Sequence, residues 1–502
     1  MSLLRQLGDR LSDRLRPAAD AVAAATDPDR VLQGVMSGFI ERARVTWPDL
    51  RHGRWRPGEP LRLLFAGYAG TRNTGGDVRV EEMIRQFRHV LGPDNVDLSL
   101  LTFDAKLTRG YFRTVKQIEM PLVFPKFLYD TLADQHGLVA CEGSMFKSKF
   151  ASALTTFMVG GLGLANAGDK LSIAYGGEAG AMTPTLEDMV RKHCAESLIL
   201  CRNEASRDVL GGLGLKTHSG TDTAWAFDPA PDAAGQTILR AQGWDGVRPV
   251  LVLCPINPYW WPVRPDLARA AALAALGLHR DDHYRSIYFH HHGDDVDRRF
   301  DAYLESWARA VRTFRRHDDP FIVCVAMEQL DRRACEALAA RLGGAAVVGS
   351  DQVQMYELVS VLRQARYLLS SRYHAIVTSM PAGIPSAGVT MDERIRNLMA
   401  DRGQPELCLE FDDPDLSRRI EGALDRLAGD PATIRDGIET CVVDNLERMG
   451  AMGRVLARHV RDRLAGFPLP EGMGDAGPWH HLPPFPPAVA DLVAARRPRG
   501  EA

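Results

Sequence analysis

Between Leu61 and Glu410 the chain alternates short apolar runs with longer amphipathic stretches, and that alternation leaves few folds open. After a first run at 61–66, strand-like segments fall at 96–103, 138–141, 171–175, 197–201 and 249–254. A second series follows at 286–289, 321–326, 345–348, 367–369, 386–390 and 406–410. Apolar strands separated by helical stretches are the pattern of a parallel sheet covered by helices on both faces. Two series predict two such sheets in an α/β protein. The polar, proline-containing stretch 228–248 reads as the linker between them, and no repeat of solenoid period is present.

The two ends differ from this middle. Residues 1–57 read as a helical extension, with Leu4, Leu7, Leu11 and Leu15 at helical spacing and arginines between them. A basic amphipathic segment such as 1–20 can lie on an anionic membrane surface; it can equally dock on its own protein or on a second subunit. Pro57-Gly58-Glu59-Pro60 closes the extension. Residues 412–466 read as helices, one opened by Asp430-Pro431, and 467–502 as a Pro/Gly-rich tail that wraps the surface or stays unstructured.

Composition narrows the function classes. A length of 502 residues accommodates two domains, and a formal net charge of −3 leaves no basic excess for nucleic acid. The 8 cysteines show neither a C-x-x-C pair nor Cys/His ligand spacing, as expected for buried thiols in a reducing cytoplasm. The N-terminus has no signal-peptide core, and no apolar run reaches the ~18 residues of a membrane span. Richness in Arg, Ala and Gly points to a bacterial gene of high GC content.

Chemistry concentrates in Tyr367–Met399. A buried strand ends at Ser370-Ser371, Arg372 and His374 open a helix, Pro381-Ala382-Gly383 stops it, and a second strand follows. In parallel sheets ligands sit at the carboxyl ends of strands, against helix N-termini. A guanidinium and an imidazole at that junction suit a small anion with proton transfer beside it. The plain alternative is an arginine neutralising a carboxylate next to a hydrogen-bonded core histidine. The turn after the first strand, Gly67 to Asp77, misses the dinucleotide and Walker spacings but offers backbone N–H groups and a helix start. In His290-His291-His292, only His290 and His292 share a strand face, and no third ligand stands at a recognisable spacing, so no metal site is expected.

These segments together resemble the polysaccharide pyruvyl transferase family. Its Ser-x-Arg-x-His-Ala element is matched by Ser370, Arg372, His374 and Ala375, followed by Gly383-Ile384-Pro385 and a polar turn at Asp392, Glu393 and Arg394. Its opening Gly-Tyr-x-Gly-x-x-Asn-x-Gly-Asp-Glu is matched at Gly67, Tyr68, Gly70, Asn73 and Gly75; Gly76 stands at the family's Asp and Asp77 at its Glu. Where the family has three glycines, this chain has Glu142-Gly143-Ser144. Arg202, Glu204 and Ser206 fit an Arg-[DE]-x-x-Ser element, Asp222 an aspartate closing the first domain, and Arg264 loosely an arginine loop.

The resemblance implies two Rossmann-like αβα domains, 58–232 and 246–411, in a GT-B-like arrangement with extra terminal helices. It implies a transferase that moves a pyruvyl group from phosphoenolpyruvate onto sugar hydroxyls, forming a ketal without metal or other cofactor. Arg372 and His374 are then the catalytic pair, with Ser370, Ser371, Gly383, Glu393 and Arg394 around the donor. Gly67, Tyr68, Asn73, Gly75, Asp77, Glu142 and Ser144 face the acceptor or cleft, as do Arg202, Glu204, Asp222, Asn257, Arg264, His290 and His292. The expected acceptor is a sugar or a lipid- or nucleotide-linked glycan of exopolysaccharide or cell-envelope biosynthesis. The expected setting is the cytoplasm, with peripheral contact at the inner membrane face and homo-oligomers among the partners. Two alternatives stay open: a nucleotide-sugar glycosyltransferase of the same layout, and a non-catalytic binding or assembly protein, which the departures at Gly76, Asp77 and Glu142-Gly143-Ser144 support.

Overall fold

In the computed structural model, which describes residues 27–47, 53–276, 287–315 and 318–497, the apolar runs form two separate parallel sheets. The first comprises β1 (Leu61–Ala66), β2 (Val96–Thr102), β3 (Lys116–Glu119), β4 (Gly137–Ala140), β5 (Leu171–Gly177), β6 (Leu198–Cys201) and β7 (His218–Ser219). Its order is β3-β2-β1-β4-β5-β6-β7, every neighbouring pair parallel. The chain continues with β8 (Val250–Cys254) and a small antiparallel ribbon of β9 (Arg264–Pro265) and β10 (Tyr288–Phe289). Then come β11 (Phe321–Ala326), β12 (Ala346–Gly349), β13 (Tyr367–Ser370), β14 (Ser386–Thr390) and β15 (Cys408–Glu410). The second sheet runs β12-β11-β8-β13-β14-β15, again all parallel.

Both sheets therefore share the doubly wound order, with chain direction across the sheet reversing between β1 and β4 in one and between β8 and β13 in the other. A crevice forms outside the strand ends at such a point, and here the two crevices face each other. These are two Rossmann-like αβα domains in a GT-B-like arrangement.

Several elements depart from expectation. Segment 228–248 is more than a linker: Asp232–Ala241 is a helix lying on the Met355–Arg363 helix, with Gly235 N–H donating to Ser360 Oγ at 3.1 Å. The aromatic pair Tyr288-Phe289 of the run 286–289, expected in a sheet strand, joins only the ribbon. The tail is ordered over its described part and wraps the surface, with short helices at Pro478–His481 and Pro487–Arg496. The leucine stripe at 4–15 lies outside the described residues.

Extra helices brace the domains. Pro28–Thr46 packs Met36 and Ile40 onto the Ser152–Ala167 helix, where Gly160 and Gly163 leave room for them. Pro431–Arg463, 33 residues long, starts against the second domain, where Gln404 Nε2 donates to Ile434 O at 3.1 Å. It ends against the first, where Gln86 Nε2 donates to Met449 O at 2.7 Å. Among the described residues no helix is long and apolar enough to cross a membrane.

Candidate functional site

The helix Thr74–Leu91 follows β1, and Asn73 caps it, its side-chain oxygen accepting from Gly76 N–H at 3.1 Å. The first turn of this helix runs into the second domain: Thr74 N–H donates to Met327 O, just past β11, at 2.9 Å. Gly75 lies under the His374 ring. A Cβ there would stand 2.5 Å from the imidazole Cγ and 2.7 Å from its Cβ, so only glycine lets the two helix starts meet. His374 sits in the opening turn of the Tyr373–Ser379 helix, at the carboxyl end of β13.

The second anchor of His374 is Asp222, from the loop after β7: Nε2 and Oδ2 are 3.3 Å apart. Asp222 is 0% exposed, and Arg202 Nη1 donates to the same oxygen at 3.1 Å while Arg79 Nε lies 3.3 Å away. Burial pushes this carboxyl upward, but His374, Arg79 and Arg202 outweigh it and hold it well below the usual carboxylate range. Arg79, itself fully buried, donates to the carbonyls of Cys141, Tyr175 and Gly176. Gly176 has φ 67°, and the register shift it causes at the end of β5 turns two successive carbonyls toward that one guanidinium.

The ion-pair chain continues across the domain boundary. Arg202 pairs with Glu178 and lies 4.8 Å over the Tyr373 ring; Lys147 joins Glu178 at 3.0 Å to Glu393 of the second domain, also at 3.0 Å. Lys149 Nζ donates to Met391 O at 2.7 Å, and Phe150 meets Trp261 edge-on at 5.1 Å.

Arg372, expected to grip an anion, is already engaged. Its Nε donates to Asp331 Oδ2 at 2.8 Å, its Nη2 to Asp331 Oδ1 and, at 2.9 Å, to Glu328 Oε2. Burial raises the Asp331 carboxyl even against this partner. Arg394 is likewise clamped on Asp392, the cap of the Glu393–Asp401 helix. Ser370 Oγ bonds the Arg372 backbone and Ser371 Oγ the Tyr303 hydroxyl, so both shape the turn.

The crevice gathers Gly67, Tyr68, Asn73, Gly75, Asp77 and Glu142 from one domain with Arg372 and His374 from the other. Tyr68 Oη lies 3.4 Å from Glu328, and Ser144 N–H donates to Glu142 at 3.4 Å. Gly67 packs on Cys141, tying the ends of β1 and β4. Asn257 caps a turn after β8 through Tyr259 N–H. His290 stacks on Trp260 at 4.7 Å between rings, and His292 Nδ1 lies 3.3 Å from the His290 carbonyl.

Three expected site residues lie elsewhere. Gly383, at φ 65°, precedes β14 and so sits at the amino end of the strands, opposite the crevice, where Arg435 donates to its carbonyl at 3.1 Å. Glu204 is an exposed first-turn residue paired with Arg207 at 2.6 Å. Arg264 is exposed on the ribbon beside Phe289. Conversely Arg72, Arg79, Lys147, Glu178, Glu328 and Asp331 escaped sequence reading. The readable signal for Glu178 and Glu328 is a carboxylate shortly after a wholly buried strand. Among the described residues no cluster of three or more His, Cys, Asp or Glu could hold a metal ion.

Among solved structures, the chain is similar to a glycosyltransferase from Rickettsia africae at 10% identity, covering 81% of this chain and 99% of that one, with a TM-score of 0.49. It is similar to a UDP-GlcNAc 2-epimerase from Neisseria meningitidis at 11% identity, covering 80% and 100%, with a TM-score of 0.48. A putative UDP-N-acetylglucosamine 2-epimerase from Listeria monocytogenes is similar at 9% identity, covering 80% and 96%, also with a TM-score of 0.48. No curated protein matches the sequence. Residues 172–393, which carry Glu178, Arg202, Asp222, Arg372 and His374, match the model of the polysaccharide pyruvyl transferase family.

Proposed function

We propose that this protein transfers a pyruvyl group from phosphoenolpyruvate to two hydroxyls of a sugar in a glycan or glycan precursor. The observation that carries the reading is the pair formed across the domains by Asp222 and His374, inside the segment matched by the family. A carboxylate only accepts, so Nε2 carries the proton facing Asp222 and Nδ1 is the nitrogen left for chemistry. Nδ1 lies against Gly75, in the first turn of the Thr74–Leu91 helix, whose positive dipole end favours an anion.

The balance of the reaction is simple. A proton goes to the methylene carbon of the donor, a first sugar hydroxyl bonds to the adjacent carbon and gives up its proton, and the carbon–oxygen bond to phosphate breaks. The second hydroxyl closes the ketal, and its proton leaves with inorganic phosphate. His374 Nδ1 is placed to give the first proton and take one back. Asp222 fixes the ring and steadies the imidazolium.

The test is phosphate release from phosphoenolpyruvate with a panel of sugar and nucleotide-sugar acceptors, on wild type, His374→Ala and Asp222→Asn. Release that needs an acceptor and falls at least about 100-fold in His374→Ala supports the reading. Turnover of a nucleotide sugar without phosphoenolpyruvate would replace it by glycosyl transfer.

A further inference from the structure

The guanidiniums around the crevice differ in which edge they offer. The Nε–Nη2 edge is the one that grips a carboxylate or phosphate with two parallel hydrogen bonds. On Arg372 that edge holds Asp331, and on Arg394 it holds Asp392. Arg79 and Arg202 are spent on buried carboxylates and carbonyls. On Arg72 the edge is open: neither Nε nor Nη2 bonds a described residue, and no carboxylate of the described residues comes within 4.0 Å of the group.

Arg72 is nevertheless held in place. Its Nη1 donates to the Tyr111 hydroxyl at 2.8 Å and reaches Val353 O at 3.5 Å, and the guanidinium lies 4.9 Å over the Tyr111 ring. Tyr111 is fixed in turn by Met355 N–H, at 2.8 Å. All these partners are neutral, so they orient the cation without cancelling its charge. Asp77, one of the carboxyls around it, makes no hydrogen bond through either oxygen and is 1% exposed, which favours its neutral form. The backbone of Arg72 has φ 56°, a conformation costly for a residue with a side chain and concentrated at ligand-binding turns. That turn leads from β1 into the Thr74–Leu91 helix, at the mouth of the crevice.

We propose that Arg72, rather than Arg372, is the residue that grips the anionic group of the substrate, taking two oxygens of a carboxylate or phosphate on its open edge. The inference rests on the reading above for the identity of that substrate, but not for the existence of an anion site.

Isothermal titration of the full chain with phosphoenolpyruvate, inorganic phosphate and pyruvate tests it, on wild type, Arg72→Gln and Arg72→Gly. Glycine suits the local φ, so Arg72→Gly keeps the turn while removing the side chain, and a thermal melt of each variant checks that it is folded. The expected result is that the anions bound by wild type bind at least about tenfold more weakly to both variants. Weakening below about tenfold in Arg72→Gly, or no anion bound by wild type, overturns the inference. Arg72-dependent binding of inorganic phosphate without any binding of phosphoenolpyruvate upholds the anion site and defeats the pyruvyl reading. Acceptor-dependent phosphate release unchanged in Arg72→Gly does the reverse. Binding of pyruvate alone assigns the edge to a carboxylate, and of phosphate alone to a phosphoryl group.

Discussion

At the scale of the residue, position 75 shows how a missing side chain can be functional. The φ of Gly75 is ordinary, so alanine fits the backbone and improves helix propensity by about 1 kcal/mol. It does not fit His374, whose ring fills the space a Cβ needs. Gly75→Ala is therefore expected to fold and to retain most of its melting temperature, while turnover falls about 100-fold as the imidazole is displaced from Asp222. Phosphate-release kinetics beside a thermal melt separate the two effects. The residues of this site were legible singly but not their pairing. Asp222 and His374 each stand out at a strand or helix end, yet 152 positions separate them. The engagement of Arg372 was unreadable for the same reason, since Glu328 and Asp331 lie 44 and 41 positions upstream.

At the scale of the element, the Thr74–Leu91 helix sets two electrostatic effects against each other at Asp77. The helix N-terminus favours a negative charge by about 0.3–1 kcal/mol, whereas an unbonded, buried carboxylate costs several times more. Burial wins, and the carboxyl is raised well above its ordinary value. The unfolded chain releases this proton above about pH 4 while the folded chain keeps it, so stability drains away as pH rises from there. Asp77→Asn, which has no proton to lose, is expected to match wild type near pH 4 and to melt increasingly above it toward pH 7; melting curves across that range check it. Strand elements were the most legible part of the fold. Runs 61–66, 321–326 and 386–390 coincide with β1, β11 and β14: β11 is apolar throughout, and the other two are apolar at their centres and almost wholly buried. β3, reading Lys-Gln-Ile-Glu at a sheet edge, carries no such signal, and β7 has only two residues. The Asp232–Ala241 helix was masked by prolines before it and by Gly235, which is there because the Ser360 backbone passes too close for a side chain.

At the scale of the molecule, the path of the chain matters more than the count of domains. The Pro431–Arg463 helix begins on the second domain and finishes on the first, and the segment after it returns to the same face, where Asn95 Nδ2 donates to Pro468 O at 2.6 Å. A protease site introduced beside the exposed Val247 offers a direct measurement. After complete cleavage, a denaturing gel should show two fragments while size exclusion under native conditions shows one species of unchanged volume. Separation of the fragments would mean that the returning helix binds only weakly. The same path bears on evolution and engineering. Each half supplies a wall of the other's hydrophobic interior, so neither can be exchanged between relatives at the 228–248 connection without bringing its share of 431–497. A chimera made with one crossover would inherit a mismatched seam, whereas one made with two, the second placed before Pro431, keeps the helix with the half on which it ends.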